Sequence, residues 1–311
     1  MAAPAAEMTK TSVLAGAIMR PPRSLWKDAW WQFRRHRLAM VSLATLTFLT
    51  LFTLVGPLLY HTKIDVIDFT QSLNGPSPEH ALGTDDLGRD LLARAMFGGR
   101  ISIAVGLTSV LLAITLGTAI GAVSGFFRRL DNPLMRFTDL FLSLPVLPLL
   151  LVIIYLFRDS LRSVFGPELG IFIMIVGVIG VLNWMPVARL VRASFLSLKQ
   201  KEFIEAARAI GARDGRIIWR HMLPNAMSPI LVAATIGVGG AILTESTLSF
   251  LGLGFPSDVP TWGRILYDAR NYLDIAPHWA IFPGLFIFLT VLSINFIGDG
   301  LTDALNPRKS G

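Results

Sequence analysis

Two long apolar segments are joined by the polar stretch Lys199-Gln-Lys-Glu-Phe-Ile-Glu-Ala-Ala-Arg-Ala-Ile-Gly-Ala-Arg-Asp-Gly-Arg-Ile-Ile-Trp-Arg-His-Met-Leu-Pro-Asn225. Its first part contains good helix formers, and four apolar residues recur at the spacing of one helix face: Phe203, Ala206, Ala207 and Ile210. Gly211 suits a helix C-terminus, because glycine adopts a left-handed conformation without steric cost. A second helical stretch follows from Ile217, and we expect Pro224 to interrupt it. The pattern predicts a helix, a glycine turn and a second helix.

The two flanking segments belong to a set of six apolar stretches, each near the length of about 20 residues that a helix needs to cross a membrane. We predict these spans at 39–59, 101–127, 137–157, 171–188, 227–251 and 280–298. The chain of 311 residues is 53% hydrophobic and only 16% charged, whereas soluble domains average about 25% charged residues. The composition therefore predicts an all-α integral membrane protein with six transmembrane helices.

Basic residues are distributed unevenly between the segments that connect the predicted spans. Of the 28 Lys and Arg residues, 20 lie in alternate segments, 1–38, 128–136, 189–226 and 299–311. Because cytoplasmic loops are enriched in Lys and Arg, both termini are predicted to be cytoplasmic. The net formal charge is +12 on this side, −3 on the other side and −2 within the spans. The total of +7 therefore reports orientation, and no nucleic-acid partner is needed to explain it.

Four regions follow from these segments. Residues 1–38 form an N-terminal cytoplasmic segment, in which 24–37 combines three Trp and one Phe with basic residues. This composition favours an elbow helix at the lipid interface over a disordered basic tail. Residues 39–100 contain the first span and an external segment, and 101–300 form the core with the helical loop at 189–226. Residues 301–311 form a cytoplasmic tail.

Several motifs resemble one family of membrane proteins. Glu205-Ala-Ala207, Gly211 and Leu223-Pro224 resemble the EAA loop of binding-protein-dependent ABC importer permeases. Five further motifs resemble the C-type subunit of the dipeptide, oligopeptide and nickel branch: Leu82-Gly-Thr-Asp-Asp-Leu-Gly-Arg-Asp90, Leu248-Ser-Phe-Leu-Gly-Leu-Gly254, Pro260-Thr-Trp-Gly263, Phe282-Pro-Gly284 and Gly298-Asp-Gly-Leu-Thr-Asp-Ala-Leu-Asn-Pro307. The resemblance extends from Trp26 to the end of the chain.

The resemblance implies a type I ABC importer permease fold in the bacterial inner membrane. The implied partners are a homologous B-type permease, two cytoplasmic ATPases, an extracytoplasmic substrate-binding protein and membrane lipid. The loop would couple the permease to an ATPase through six residues: Glu205, Ala206, Ala207, Gly211, Ala212 and Pro224. Glu205 would contact the ATPase, and Gly211 would set the bend. The implied function is import of di- or oligopeptides by alternating access, and nickel or glutathione-type cargo stays open.

The chain itself is expected to be non-catalytic. It contains no Gly-Lys dipeptide and therefore no Gly-x-x-x-x-Gly-Lys-Ser/Thr phosphate loop, so ATP and Mg²⁺ are expected to bind to the partner ATPases. It has no cysteine and five dispersed histidines, which excludes cysteine-based zinc sites and predicts no metal centre. No cofactor is expected in this chain, and motifs of hydrolases are absent from it.

Two acidic residues lie inside the predicted spans, where ionisable groups indicate function or pairing. Asp139 is close to the cytoplasmic side, and a structural salt bridge or helix-entry contact near the cluster of Arg128, Arg129 and Arg136 is favoured for it. For Glu245, two interpretations stay open: lining the substrate path, or a contact within the subunit. Asn183, beside Pro186 in the fourth span, is a second candidate for the substrate path.

Three further expectations concern packing and alternative functions. Overlapping Gly-x-x-x-Gly units at 117–125 predict close helix contact. The external segments 60–100 and 252–279, with residues 261–263, either contact the binding protein or form an ordered external cap. An ion-coupled secondary transporter and a membrane scaffold for another ATPase remain alternatives, although a single deep carboxylate makes the former weak.

Overall fold

A computed structural model describes residues 25–305, and these residues form an all-helical chain without a β-strand. Residues 1–24 and 306–311, to which parts of the predicted N-terminal segment and tail belong, lie outside the described residues. The helices are α1 Leu25–Arg35, α2 Arg37–Leu59, α3 Leu91–Phe126, α4 Arg128–Leu142, α5 Val146–Phe165, α6 Pro167–Leu182, α7 Trp184–Leu198, α8 Glu202–Ala209, α9 Asp214–Arg216, α10 Leu223–Phe250, α11 Trp262–Ala269 and α12 Pro277–Ala304. A π-helical stretch, Ile217–Met222, joins α9 to α10.

Five helical segments are long and apolar enough to cross a membrane: Arg37–Leu59, Leu91–Phe126, Glu168–Leu198, Asp214–Phe250 and Pro277–Ala304. A sixth crossing results if α4 and α5, which are bent by 83° at a short break, are one span. The structure therefore confirms the expected all-α membrane protein, and it contains five or six candidate membrane-spanning helices. Because successive long helices run in opposite directions, their connecting segments lie at two ends of the bundle. We call the end with residues 199–213 the loop end, and the end with residues 60–90 and 251–276 the cap end.

The third predicted span, 137–157, consists of two helices. The first, α4, ends at Leu142, and Pro145 precedes the first residue of α5 in an extended conformation. The residue before a proline is disfavoured in the helical region, so the break falls where the Leu144-Pro145 sequence requires it. α4 consequently lies at 83° to α5.

The predicted loop bounds, 189–226, do not coincide with the helix ends. α7 continues to Leu198, so ten residues of the predicted loop belong to a span. Pro224 does not interrupt the second helical stretch, because it lies in the first turn of α10, where its missing N–H leaves no helix bond broken. The preceding turn widens instead, and the Leu223 N–H donates to the Ile218 carbonyl five residues earlier. Similarly, α3 begins at Leu91, inside the predicted external segment, where Asp90 caps it.

The centre of the bundle is the contact between α3 and α7, and glycines on α3 make it close. A Cβ atom on Gly117 would lie 2.6 Å from the Trp184 carbonyl oxygen, and one on Gly125 would lie 2.6 Å from the Phe195 Cβ. Because real Cβ atoms do not approach other atoms this closely, only glycine permits the observed distance between the helices. The predicted close packing at 117–125 is confirmed, with α7 as the partner.

The cap end is an ordered structure that buries residues 261–263. Trp262 is fully buried, and its Nε1–H donates to the Ala95 carbonyl at 2.9 Å. Asp90 connects the preceding segment to α3: it accepts the Ala93 N–H at 2.7 Å and the Tyr60 hydroxyl at 2.8 Å. Of the two interpretations of residues 261–263, the geometry therefore favours the cap.

We expect the Gly117→Ala substitution to destabilise the bundle by about 1–3 kcal/mol, because the new methyl group overlaps the α7 backbone at Trp184. Thermal unfolding of the purified protein in detergent measures the change. Gly177→Ala is the matched control, since a Cβ at Gly177 meets no atom within 4 Å and alanine is the better helix former. Equal unfolding temperatures for the two variants would contradict the proposed role of the α3–α7 contact.

Candidate functional site

The helical loop contains the predicted glycine turn. Gly211 has a φ of +82°, its N–H donates to the Arg208 carbonyl at 2.9 Å, and the Ala212 N–H donates to the Ala207 carbonyl at 3.0 Å. These two bonds form a Schellman motif, which ends α8 and satisfies its last carbonyls. The turn reverses the chain toward the π-helical stretch, as the sequence predicts.

The apolar residues of α8 divide between two faces. Ile204 and Ala207 are buried, and they pack toward Ile217 and Met222 of the π-helical stretch. Phe203, Ala206 and Ile210, which share the predicted apolar face with Ala207, point away from the bundle. The predicted face is therefore largely an outer surface, because the second arm of the hairpin packs against the side that Ile204 occupies.

Both arms of the hairpin expose large apolar side chains. The exposed fractions are 43% for Phe203, 87% for Ile210 and 72% for Trp219. We call these three residues the outer patch. Glu205 and Ala206 are exposed beside it, whereas Ala207 is buried and Ala212 is partly buried. Trp219 was not singled out from the sequence, although an aromatic residue among basic neighbours in a loop between spans is a usable signal.

The base of the hairpin is fixed to the end of α3. The Lys199 ammonium group donates to the Phe126 carbonyl at 2.7 Å. Phe195, Ile204 and Ile217 are fully buried in a cluster that includes Phe126. Because the base of the hairpin is closely packed against both α3 and α7, a displacement of the hairpin is transmitted to these two helices.

Two ion pairs connect α4 to α7 at the loop end. Asp131 accepts from Arg192 Nε at 2.5 Å and from Nη2 at 2.8 Å, and Ser124 donates to it at 2.7 Å. Asp139 pairs with Arg189 at 2.5 Å, with both side chains more than half exposed. Asp139 thus forms a salt bridge, and its partner is Arg189 of α7. The break before α5 turns Asp139 toward α7, which the sequence order does not reveal.

Glu245 is fully buried inside this chain, near the cap end of α10. Its carboxyl group accepts hydrogen bonds from Ser249 at 2.8 Å, Ser102 at 3.2 Å and Ser246 at 3.4 Å. Ser102 is part of α3 and also accepts the Trp262 N–H at 3.4 Å. Glu245 therefore joins α3, α10 and the cap within one subunit. Its role in a substrate path stays a prediction.

A cavity of about 520 Å³ lies between α3, the junction of α6 with α7, and α10. Asn183 lines it, at the residue where α6 ends and α7 begins. Thr244 also lines it, but Glu245 is not among the lining residues. Of the two residues predicted for the substrate path, the cavity therefore contains Asn183 alone.

Charged side chains at the cap end form a separate network. Asp85 is buried and pairs with Arg89 at 2.6 Å, and Arg264 pairs with Asp268 at 2.7 Å. Burial raises the pKa of Asp268 above its ordinary value, while the charge and hydrogen bond of Arg264 act in the opposite direction. Within residues 25–305, no group of three or more His, Asp or Glu side chains is arranged to hold a metal ion.

We expect Glu245→Ala to lower the free energy of unfolding by about 1–3 kcal/mol, because it leaves three buried hydroxyls without their acceptor. Glu245→Gln retains an acceptor oxygen and similar volume, so its loss is smaller. Thermal unfolding in detergent measures both changes. An alanine variant as stable as the wild type would contradict the role of Glu245 in connecting α3, α10 and the cap.

A role of Glu245 in the substrate path has a separate test. Unchanged uptake kinetics in Glu245→Gln would contradict that role.

Comparison with protein families gives two matches that together cover most of the chain. Residues 101–311 match the family described as binding-protein-dependent transport system inner membrane component. Residues 24–76 match the N-terminal TM domain of oligopeptide transport permease C. The first match contains the helical loop, Asn183, Glu245 and the cavity.

Individual relatives agree with the family matches. The dipeptide transport system permease protein DppC of Alkalihalophilus pseudofirmus is 39% identical over 92% of this chain and 90% of its own length. The oligopeptide permease OppC of Haemophilus influenzae is 39% identical over 92% of this chain and 89% of its own length. The glutathione permease GsiD of Pectobacterium atrosepticum is 37% identical, over 92% of each chain.

The fold also matches a solved transporter. A chain of the MetNI methionine ABC transporter superposes with a TM-score of 0.54 and 20% sequence identity, covering 70% of this chain and 96% of that chain. At this identity the likeness concerns the fold, which is the type I importer permease fold expected from the sequence. The protein belongs to the family of binding-protein-dependent transport system inner membrane components, and it is a multi-pass permease subunit of an ABC importer in the inner membrane.

Proposed function

We propose that this permease imports di- or oligopeptides into the cytoplasm by alternating access. The proposed assembly contains a homologous B-type permease, two ATPases that bind ATP and Mg²⁺, and an extracytoplasmic substrate-binding protein. The loop end, which carries most of the basic residues, faces the cytoplasm. Relatives named as dipeptide and oligopeptide permeases support the peptide cargo.

The observation that carries this proposal is the outer patch on a rigid hairpin. Phe203, Ile210 and Trp219 expose apolar surface on the same hairpin whose inner side is fully packed. Exposed aromatic and aliphatic side chains on a preformed helical unit suit insertion into a groove on another protein. Glu205, exposed at the edge of the patch, supplies a polar contact to the same partner. We infer that this partner is an ATPase, because the chain belongs to a family of transport-system permeases and contains no phosphate-binding loop of its own.

The transmission of the ATPase movement follows from the contacts at the base of the hairpin. ATP binding draws the two ATPases together, and the hairpin moves with the ATPase that holds it. The Lys199 contact to the Phe126 carbonyl and the buried cluster at Phe195 and Ile217 carry this movement to α3 and α7. Because α3 and α7 line the cavity, their displacement changes its access between the two sides of the membrane.

A glutathione-type cargo is the second candidate, because one relative is named a glutathione permease. Glutathione is itself a small peptide-like solute, so the two candidates share the same assembly and mechanism. Uptake into proteoliposomes that contain the complete transporter and its binding protein, with labelled tripeptides and glutathione offered separately, distinguishes them. Uptake of neither in the presence of ATP would contradict the proposed function.

The Ile210→Ser substitution tests the coupling role of the outer patch. We expect it to weaken co-purification of the ATPases and to lower ATP-dependent uptake about tenfold. The reason is that the interface loses the apolar side chain of Ile210, which is 87% exposed in this subunit. Ile275→Ser is the matched control, since Ile275 is the same residue type, is 72% exposed and lies at the cap end. Equal losses of ATPase binding in both variants would contradict the assignment of the patch.

A further inference from the structure

The cavity lies halfway through the bundle. Its wall on α3 includes Val110 and Ala113, which are near the middle of that helix, and its wall on α10 extends from Ala233 to Thr244. Asn183, at the junction of α6 and α7, lines a third wall of the cavity. A volume of about 520 Å³ falls within the range of about 300–1,000 Å³ that is typical of small-molecule sites.

Small residues on α10 create this space. A Cβ atom on Gly240 would meet no atom within 4 Å, and a Cβ on Gly237 would meet only the Val110 side chain, at 3.3 Å. These two glycines differ from Gly117, whose missing side chain permits close helix contact. The glycines of α10 that line the cavity therefore leave room for something other than a neighbouring helix of this chain.

The walls are suited to an apolar occupant. Ile114, Ile179, Val187 and Ile236 contribute aliphatic surface. Only three polar side chains line the wall. The Thr244 hydroxyl donates to the Gly240 carbonyl at 2.8 Å and the Asn183 amide donates to the Ile179 carbonyl at 2.7 Å, whereas the buried Ser109 hydroxyl has no hydrogen-bond partner among the described residues. Such a surface offers few hydrogen bonds to a peptide backbone, but it lowers the free energy of an apolar side chain that leaves water.

We propose that this cavity receives an apolar side chain of the cargo peptide at the midpoint of transport, so that the permease itself contributes to cargo preference. The inference rests on the proposed peptide function. Cargo is the occupant that fits, because the cavity lies at mid-depth beside the two helices that the coupling hairpin moves. An occupant that must enter and leave needs weak, mainly apolar contacts of this kind.

The Gly240→Leu substitution tests the proposal, because Gly240 lines the cavity and an added Cβ there meets no atom within 4 Å. The complete transporter, with its binding protein and ATPases, is reconstituted in proteoliposomes, and uptake of trileucine and triglycine is measured. We expect trileucine uptake to fall about tenfold relative to the wild type, which corresponds to about 1.4 kcal/mol. Triglycine uptake should stay within about twofold, since triglycine has no side chain to place there.

Two further variants make the result specific. Gly177→Leu is the matched control, because Gly177 also lies in a span, meets no atom within 4 Å of an added Cβ and does not line the cavity. It should leave the ratio of trileucine to triglycine uptake unchanged. Gly240→Ala, which fills less of the cavity, should give an intermediate ratio and serves if the leucine variant does not assemble.

Three results would overturn the proposal. Equal losses for both peptides in Gly240→Leu would mean that the cavity serves helix movement, lipid or the partner permease. Unchanged uptake of both peptides would mean that the space stays empty during transport. A changed ratio in Gly177→Leu would mean that the effect is not specific to the cavity. Failure of the wild-type transporter to take up either peptide would instead overturn the proposed function, and the inference with it.

Discussion

The close contact between α3 and α7 is the constraint on which the other parts of the structure depend. Gly117 and Gly125 bring the α3 backbone against Trp184 and Phe195, and no side chain can be inserted there. Because packed helices move as units, these two helices hold one wall of the cavity at their centre and the base of the coupling hairpin at their end. The functional features of the chain are thus attached to one rigid pair.

Two different kinds of contact fasten the remaining elements to this pair. At the cap end, the buried carboxyl group of Glu245 joins α10 to α3 through Ser102, and Trp262 shares that serine. At the loop end, the contacts that fasten α4 to α7 are exposed or partly exposed ion pairs, such as Asp139 with Arg189. Buried hydrogen-bonded contacts hold one arrangement, whereas exposed ion pairs contribute little stability and exchange readily. The structure therefore combines a firmly held cap with a more easily displaced α4 at the loop end.

Several features were predictable from the sequence because they depend on neighbouring residues. The spans follow from apolar length, the turn at Gly211 from the conformational freedom of glycine, and the break before α5 from Pro145. Predictions failed where a distant segment decides the outcome. The exposed side of α8 depends on the packing of Ile204 against Ile217, and the partner of Asp139 depends on the bend between α4 and α5.

The sequence by itself determined the fold class, the number of candidate spans and the family, since these follow from composition, periodicity and local motifs. Tertiary structure alone decided that Glu245 is enclosed by hydroxyls while Asn183 lines a cavity. Both residues lie in apolar spans, and their surroundings differ because helices far apart in the chain meet at each of them. Likewise, glycines in α3 and α10 look equivalent in the sequence, yet packing makes one set a helix contact and the other an open space.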